Sequence, residues 1–443
     1  MPLAVFCCSA PIGLDNSANN YVSINNAPYP WKSCWETVLY LTKGNLTMQT
    51  LRFEGSGFEY FKVWIVNILL TIVTLGIYHP WAKVRNLRYL YGNTALDDRN
   101  FDYHATGKQI FLSYLIAMLS LIVFVTVQQI WPIGSTVLVV LLFLCVPWII
   151  WRSLMFNMRM TSFSNVRFSF DGSPGQAYIN FLWLPLLMLL CFYGGITGFI
   201  VLAILIGPNN ALSGTLGGML IVLSLALVAY LFGLIKKRHA MYIANGTCYG
   251  QGRFSTQLQT IVFVKILLKT VALSLLLFLA YILMIAIFAY LTIGLAELQV
   301  MMLNLMPNSP NKADGLGGAI VLIIFLVYLG LLALFFLGAA YFHVRQRNYI
   351  VDNTLFDEKT VLGSTLRAWT FAWVMLSNFL LIVLTLGLAT PWAQVRVLRL
   401  TLENTQVDTE VDFDNYITQQ QQYQSSLGDQ LGDAFDVDAG LAI

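Results

Sequence analysis

Arg85, Tyr89, Asn93 and Thr94 place a guanidinium, a phenol, an amide and a hydroxyl in one short stretch. Such a set recognises anions by charge-assisted hydrogen bonds, the chemistry of phosphate or carboxylate binding, and it contains no nucleophile set beside a base. The same spacing recurs at Arg345, Tyr349, Asn353 and Thr354. Shorter copies stand at Arg238, Tyr242 and Thr247, at Arg152, Phe156 and Thr161, and at Arg396, Asn404 and Thr405, where Leu400 replaces the aromatic. In three copies a phenylalanine follows sixteen positions after the Arg: Phe101, Phe168 and Phe254.

Positions i, i+4 and i+8 share one face of a helix, so each copy predicts a helix with an Arg and aromatic stripe. Asn followed by Thr suits a helix C-terminus and the turn beyond it. Thr94 to Tyr103 then has the pattern of a short hairpin bent at Asp97 and Asp98, and Thr106 is placed to cap the next helix. Two uses of the copies are open. Each Arg anchors its helix to anionic head groups while the Tyr sits in the aromatic interfacial belt, or the copies converge into a basic vestibule for an anion or lipid head group. The candidate contacts are Arg85, Tyr89, Asn93, Arg152, Arg238, Tyr242, Arg345, Tyr349, Asn353, Arg396 and Asn404. Asn67 and Asn378 are candidates for polar contacts between the two end elements, or for pore lining.

Other chemistry is not signalled. The chain has no P-loop, nucleophile elbow or dinucleotide fingerprint. His79, His104, His239 and His343 are scattered, and the six cysteines show no spacing suited to zinc. No catalytic residue, metal or cofactor is expected, and the chain reads as non-enzymatic. A net charge of +3 offers no surface for nucleic acid.

The elements that carry these residues are set by composition. Soluble domains are about 25% charged, whereas this chain is 11% charged and 58% hydrophobic, with a mean hydropathy of +0.69. A bilayer span needs about 20 apolar residues. Residues 109–151 hold two spans with a turn at Trp131 to Gly134, residues 172–235 two more broken near Gly207, and 270–296 and 315–344 one each. The expected fold class is thus an all-α polytopic membrane protein with six spans, internal repeats and short cytoplasmic hairpins. No Asp or Glu lies inside those spans, which argues against a carboxylate proton relay.

Two further elements, 63–82 and 368–395, are apolar enough to cross. The loops bearing Arg85, Arg152, Lys236 and Arg345 alternate with loops near 131, 208 and 297–314 that hold a single cation, Lys312. Positive charge stays in the cytoplasm, so the Arg copies are expected there. If the end elements cross once, both chain ends lie outside; if they re-enter, every basic segment stays inside. The end elements also match one another. Thr74, Leu75, Gly76, Pro80, Trp81, Ala82 and Arg85 recur as Thr385, Leu386, Gly387, Pro391, Trp392, Ala393 and Arg396, which points to gene duplication. Residues 1–50 are rich in Asn, Ser and Pro, and Met48 immediately precedes the organised region, so a disordered extension or an upstream mis-start is expected before a repeat-built transmembrane domain at 51–413. A polar acidic tail occupies 414–443.

The runs FEGSGFEYFKVWIVN and TLGIYHPWAKVRNLRYLYGNT and the ending DAFDVDAG resemble the YjgN family of bacterial inner-membrane proteins. The resemblance implies a multi-pass protein of the inner membrane and brings no catalytic residues with it. Two roles follow from the architecture. The first is a transporter or channel whose repeats surround a polar route with the Arg and Tyr copies at its cytoplasmic mouth. The second is a non-transporting, lipid-binding scaffold that presents its hairpins to a membrane or cytoplasmic protein. Membrane lipids are partners in both, and the oligomeric state is not specified.

Overall fold

The computed structural model describes residues 48–207, 210–304, 317–357, 360–408 and 416–422. Most of the N-terminal extension, Lys312 and the acidic residues from 423 onward lie outside the described residues. The organised chain opens with two short strands, β1 (Met48–Thr50) and β2 (Arg52–Phe53). Helices then come in pairs, each followed by strands. The first pair, α1 (Gly57–Val73) and α2 (His79–Gly92), leads to β3 (Thr94–Leu96) and β4 (Arg99–Tyr103). The second, α3 (Gly107–Ile130) and α4 (Pro132–Met160), leads to β5 (Thr161–Phe163) and β6 (Val166–Phe170). The third, α5 (Pro174–Ile206, with a π-helical turn at Ile179–Trp183) and α6 (Ala211–Gly246), leads to β7 (Thr247–Tyr249) and β8 (Gly252–Thr256). The fourth, α7 (Thr260–Asn304) and α8 (Gly317–Asp352), leads to β9 (Thr354–Phe356) and β10 (Thr360–Ser364). The fifth, α9 (Ala368–Leu384) and α10 (Thr390–Glu403), leads to β11 (Thr405–Asp408). A last helix, α11, covers residues 416–422.

Local sequence explains the starts of these helices. Ser56 accepts a hydrogen bond from the Glu59 amide at the head of α1, Thr106 and Gln109 form a capping box on α3, and Pro132 occupies the first turn of α4. Among the described residues six helices are long and apolar enough to cross a membrane, one in each arm of the three central pairs. In α3 the side chains of Leu112, Leu115, Ile116, Met118, Leu119, Leu121 and Ile122 are all exposed, although they point in every direction around the axis. Its neighbours α2 and α4 cover only part of it, as where Phe111 meets Trp81, and the apolar side chains left exposed on the rest are solvated by hydrocarbon.

The strands were the part that composition did not announce. All eleven form one sheet in the order β1-β11-β10-β9-β8-β7-β6-β5-β4-β3-β2. The two ends of that row, β1 and β2, are separated by Leu51 alone, and the Leu51 amide donates to Thr405 O at 3.1 Å. The segment therefore pairs with β11 on one side and β3 on the other, and the sheet closes into a ring. The all-α expectation is corrected accordingly. The helices dominate, but the hairpins hydrogen-bond to one another rather than standing apart. Strands of two to five residues are too short to show a period of two.

A small closed sheet is filled by its own side chains. Leu96, Phe163, Tyr249, Phe356 and Val407 each stand two residues after the Thr that opens their strand, and all five pack in one buried cluster with Val166. Ring centroids of Phe101 and Phe163 lie 4.7 Å apart, those of Phe168 and Tyr249 4.9 Å, and those of Phe254 and Phe356 4.9 Å. Helix α11 adds Tyr416 and Ile417 to the same cluster. Its Tyr416 hydroxyl donates to Tyr249 O and accepts from the Gly252 amide, both at 2.7 Å.

The end elements are now defined. Because β2 pairs with β3, the α1–α2 pair starts and finishes at the ring; a single crossing by this element does not fit. The α9–α10 pair behaves likewise, since β10 pairs with β11. Both turns carry a left-handed Leu and Gly: φ is 50° at Leu75 and 91° at Gly76, 50° at Leu386 and 93° at Gly387.

Truncating the ring core should cost more than truncating the lipid-facing surface. Phe163→Ala is expected to destabilise the detergent-solubilised protein by about 3–5 kcal/mol, whereas Leu119→Ala should shift it by no more than about 0.5 kcal/mol. Thermal unfolding of both variants in one detergent checks this.

Candidate functional site

The five Arg residues of the repeated spacing sit on the returning helices α2, α4, α6, α8 and α10, each nine residues before the Thr that opens a strand. At 1.5 Å per residue they lie roughly 13 Å along the helix from the ring. Arg85, Arg152, Arg238, Arg345 and Arg396 are all exposed. Arg152 lies over the rings of Trp148 and Trp151 at 5.8 and 5.9 Å, and Arg345 over Tyr341 at 5.5 Å. Arg396 donates to Asn378 Oδ1 at 2.9 Å. They stand on separate helices, and none of them is among the walls of the cleft beside β1 and β3 or of the apolar cleft between α6, α7 and α8.

The other members of the spacing have local partners. Each Thr hydroxyl donates to the carbonyl four residues back: Thr94 to Leu90, Thr161 to Asn157, Thr247 to Ile243, Thr354 to Ile350 and Thr405 to Thr401, at 2.7–2.9 Å. Asn93, Asn353 and Asn404 do the same with their amides, to Tyr89 O, Tyr349 O and Leu400 O at 2.7, 2.7 and 2.8 Å. These bonds satisfy the orphan carbonyls of a helix end, so the Asn and Thr positions mark where helix becomes strand.

The aromatic position fastens the two arms of each pair. Tyr89 Oη accepts from the Ser56 amide at 3.1 Å, Tyr349 Oη accepts from the Gln259 amide at 2.9 Å, and Tyr242 Oη donates to Ser173 O at 3.0 Å. Each partner stands at the foot of the outgoing helix of the same pair. Where the hydroxyl is missing the surroundings are apolar: Phe156 and Ile110 pack against one buried cluster, and Leu400 against the cluster that holds Phe371.

A second set of Arg residues, not singled out by the spacing, joins one pair to the next. Arg88 donates to Tyr103 O and Ala105 O at 3.4 and 3.3 Å, Arg399 to Gly55 O at 2.9 Å, and Arg347 to Thr401 O at 3.2 Å as well as to the hydroxyls of Ser364 and Thr405. Their signal was a cation two or three positions after the repeated Arg. It was visible in the charge pattern, but only the fold separates inward from outward cations.

Asn67 and Asn378 are 2% and 4% exposed. Asn67 Nδ2 donates to Ala82 O and Asn86 Oδ1 at 3.4 and 2.7 Å, and Asn378 Nδ2 to Ala393 O at 3.1 Å. Each amide thus ties the arms of its own helix pair. The hydrogen bonds of these two amides run within each pair and not between the two end elements as expected, because a buried amide takes a partner close at hand, here a carbonyl of the returning helix fifteen residues on. The end pairs meet instead through Tyr60 and Gln394, 2.9 Å apart, and through Phe61 stacked on Trp392 at 4.8 Å.

One constellation has the order of a hydrolase triad. His104 Nε2 lies 2.7 Å from Ser162 Oγ, and His104 Nδ1 lies 3.8 Å from Asp102 Oδ2. Ser162 is 1% exposed and so is closed to a substrate; the set fastens β4 to β5. Among the described residues no group of three His, Cys, Asp or Glu could hold a metal. In the ring, burial pushes the phenols of Tyr249 and Tyr416 above their ordinary range, which keeps both protonated as donors.

The profile of a family described as "Bacterial protein of unknown function (DUF898)" matches residues 48–434. The chain is similar to "Inner membrane protein YjgN" of Salmonella typhimurium, 30% identical over 371 residues, 82% of this chain and 89% of the relative. It is similar also to the protein of that name in Escherichia coli K12, 32% identical over 217 residues, 48% of this chain and 53% of the relative. No solved structure matches. With six helices able to cross a bilayer and relatives named for the inner membrane, the chain is a multi-pass protein of the bacterial inner membrane.

The division between fastening and exposed residues has a measurable signature. Tyr242→Phe and Tyr349→Phe should each cost about 1 kcal/mol, while Arg85→Gln and Arg238→Gln should stay within about 0.5 kcal/mol. Denaturant titration in detergent reads all four.

Proposed function

Because the chain belongs to the DUF898 family, whose function is unknown, its role must come from its geometry, and we propose a non-transporting, lipid-binding scaffold of the inner membrane that offers its strand ring to a partner protein. The observation that carries this reading is the filled axis of the ring. Leu96, Phe163, Tyr249, Phe356 and Val407 meet there with Tyr416 and Ile417 over them, so the middle of the molecule is occupied on that side. A conduit for polar solutes needs polar groups or backbone facing water at membrane depth. Among the described residues the large side chains that the span helices leave exposed are mostly Leu, Ile, Val and Phe, and the hydroxyls of Ser120 and Thr126 in α3 are taken up by carbonyls four residues back, which argues against a polar route.

In this reading the helix pair with its strand pair is the duplicated unit, and β1 with β2 supplies the strand that the fifth unit lacks. The repeated Arg residues lie on the ring side of the spans, and charge of that sign is retained in the cytoplasm. The ring is therefore cytoplasmic, with the Arg residues and their Trp or Tyr neighbours at head-group depth. The scaffold is the organised region, which is wider than 51–413: it takes in β1 from Met48, which completes the ring, and α11 at 416–422, which packs into the ring core. Partners are membrane lipids and a cytoplasmic or membrane protein.

Two measurements test this. Proteoliposomes carrying the full chain should retain a trapped anionic dye as well as protein-free liposomes do; protein-dependent leakage would remove the scaffold reading. In a background without native cysteines, Arg167→Cys on β6 should react with a membrane-impermeant maleimide only after the membrane is opened, and labelling of intact spheroplasts would place the ring outside.

A further inference from the structure

An apolar cleft lies between the spans, and of the repeated residues Arg345 stands beside its ring-side end. It has a volume of about 660 Å³ and is bounded by α6, α7 and α8, with Phe232, Thr270, Ser274, Leu334, Ala339 and Phe342 among its walls. Two glycines set its shape. A Cβ at Gly330 would strike the Tyr281 ring and one at Gly338 would strike Ser274 Oγ, so α7 and α8 touch along one line and diverge beside it. All three helices are candidate spans, and the cleft therefore opens to hydrocarbon.

Its ring-side end is cationic. Lys236 Nζ lies 5.4 Å from the Phe232 ring and 5.9 Å from the Phe342 ring, both of them cleft walls. On α8 the turn after Phe342 brings Arg345 to the same face, exposed and lying over Tyr341. Among the described residues neither cation is in an ion pair. Volumes of about 300–1,000 Å³ suit a small molecule or a single chain rather than a helix, apolar walls exclude a free anion, and two uncompensated cations disfavour a neutral lipid.

We infer that this cleft is a binding site for an anionic phospholipid, with an acyl chain between α7 and α8 and its phosphate on Lys236 and Arg345. A basic pocket between spans on the cytoplasmic face recognises such head groups, and the lysine stem can lie along the cleft while its ammonium reaches the interface. The inference rests on the lipid-binding reading above and adds a place and a lipid class to it.

Native mass spectrometry of the delipidated full-length protein, titrated with phosphatidylglycerol or phosphatidylethanolamine, tests it. The expected result is preferential binding of phosphatidylglycerol, weakened about fivefold by Lys236→Gln and again by Arg345→Gln. Filling the cleft with Ala339→Phe should abolish the same adduct while both cations remain; Ala339→Leu, a smaller intrusion, should weaken it if the Phe variant does not fold. Equal binding of the two lipids, or phosphatidylglycerol adducts unchanged in all of these variants, overturns the inference. If those adducts respond instead to Arg85→Gln and Arg152→Gln, the cleft assignment fails and the scaffold reading stands. Dye leakage from proteoliposomes would remove the scaffold reading without touching the cleft.

Discussion

Hydrogen-bond closure of very short strands is the constraint on which the rest of the structure depends. A ladder such as β3–β4, with Ala95 opposite Asn100 and Leu96 opposite Arg99, is too small to stand alone in water. Open edges would also invite unwanted pairing. The ring removes both problems by giving every hairpin two neighbours, and the segment from Met48 to Phe53 completes it by pairing to both sides. Arg88, Arg347 and Arg399 then cross the seams between units, and the aromatic interior excludes water from the ladders.

Above the ring the physics changes. Lipid tails are as apolar as leucine, so helices in a bilayer gain little from hiding side chains from one another. The spans accordingly hold together where small residues permit contact, as at Gly195 against Ser224 and Gly338 against Ser274, and elsewhere face hydrocarbon. Polar side chains gather where helix gives way to strand, because each returning helix leaves carbonyls that must find donors before the chain can change direction. The Thr of each unit, and in three units the Asn before it, provide them from four residues away. The end pairs solve the same problem at their tips. Thr74 and Thr385 each donate to a carbonyl four residues back and accept from an amide four residues ahead. That satisfied backbone leaves Leu75 and Leu386, 93% and 94% exposed, as the outermost groups of the turns.

Much of this was legible in the residues. The six spans follow from composition and length, the hairpin at Thr94 to Tyr103 from its Asp-Asp bend, and the recurring units from the Arg, aromatic and Thr spacing. What the spacing meant was less visible. Arg, Tyr and Asn side by side suggest an anion site by their functional groups, yet Tyr349 and Asn353 are engaged by Gln259 N and Tyr349 O, one of them a partner 90 residues away in sequence. The closed sheet left no trace, because its pairings join residues as distant as Thr50 and Gln406. The α6–α8 cleft was hidden for the opposite reason: its walls are mostly Leu and Phe with a few small residues, like other parts of the spans, and only the approach of two helices at glycines distinguishes them.

Sharing one extended segment between the first and last units makes the chain nearly cyclic. The polypeptide could in principle be opened at another hairpin bend and its ends rejoined near Met48, a circular permutation that would preserve every pairing except the one cut. The natural order also has a kinetic side. While the chain is being made, the earliest strand can find β3 at once but must wait for β11, the last strand, before the seam closes. Release of the finished C-terminal portion therefore acts as the final assembly step, and a chain that stalls in the fifth unit leaves two open edges facing water.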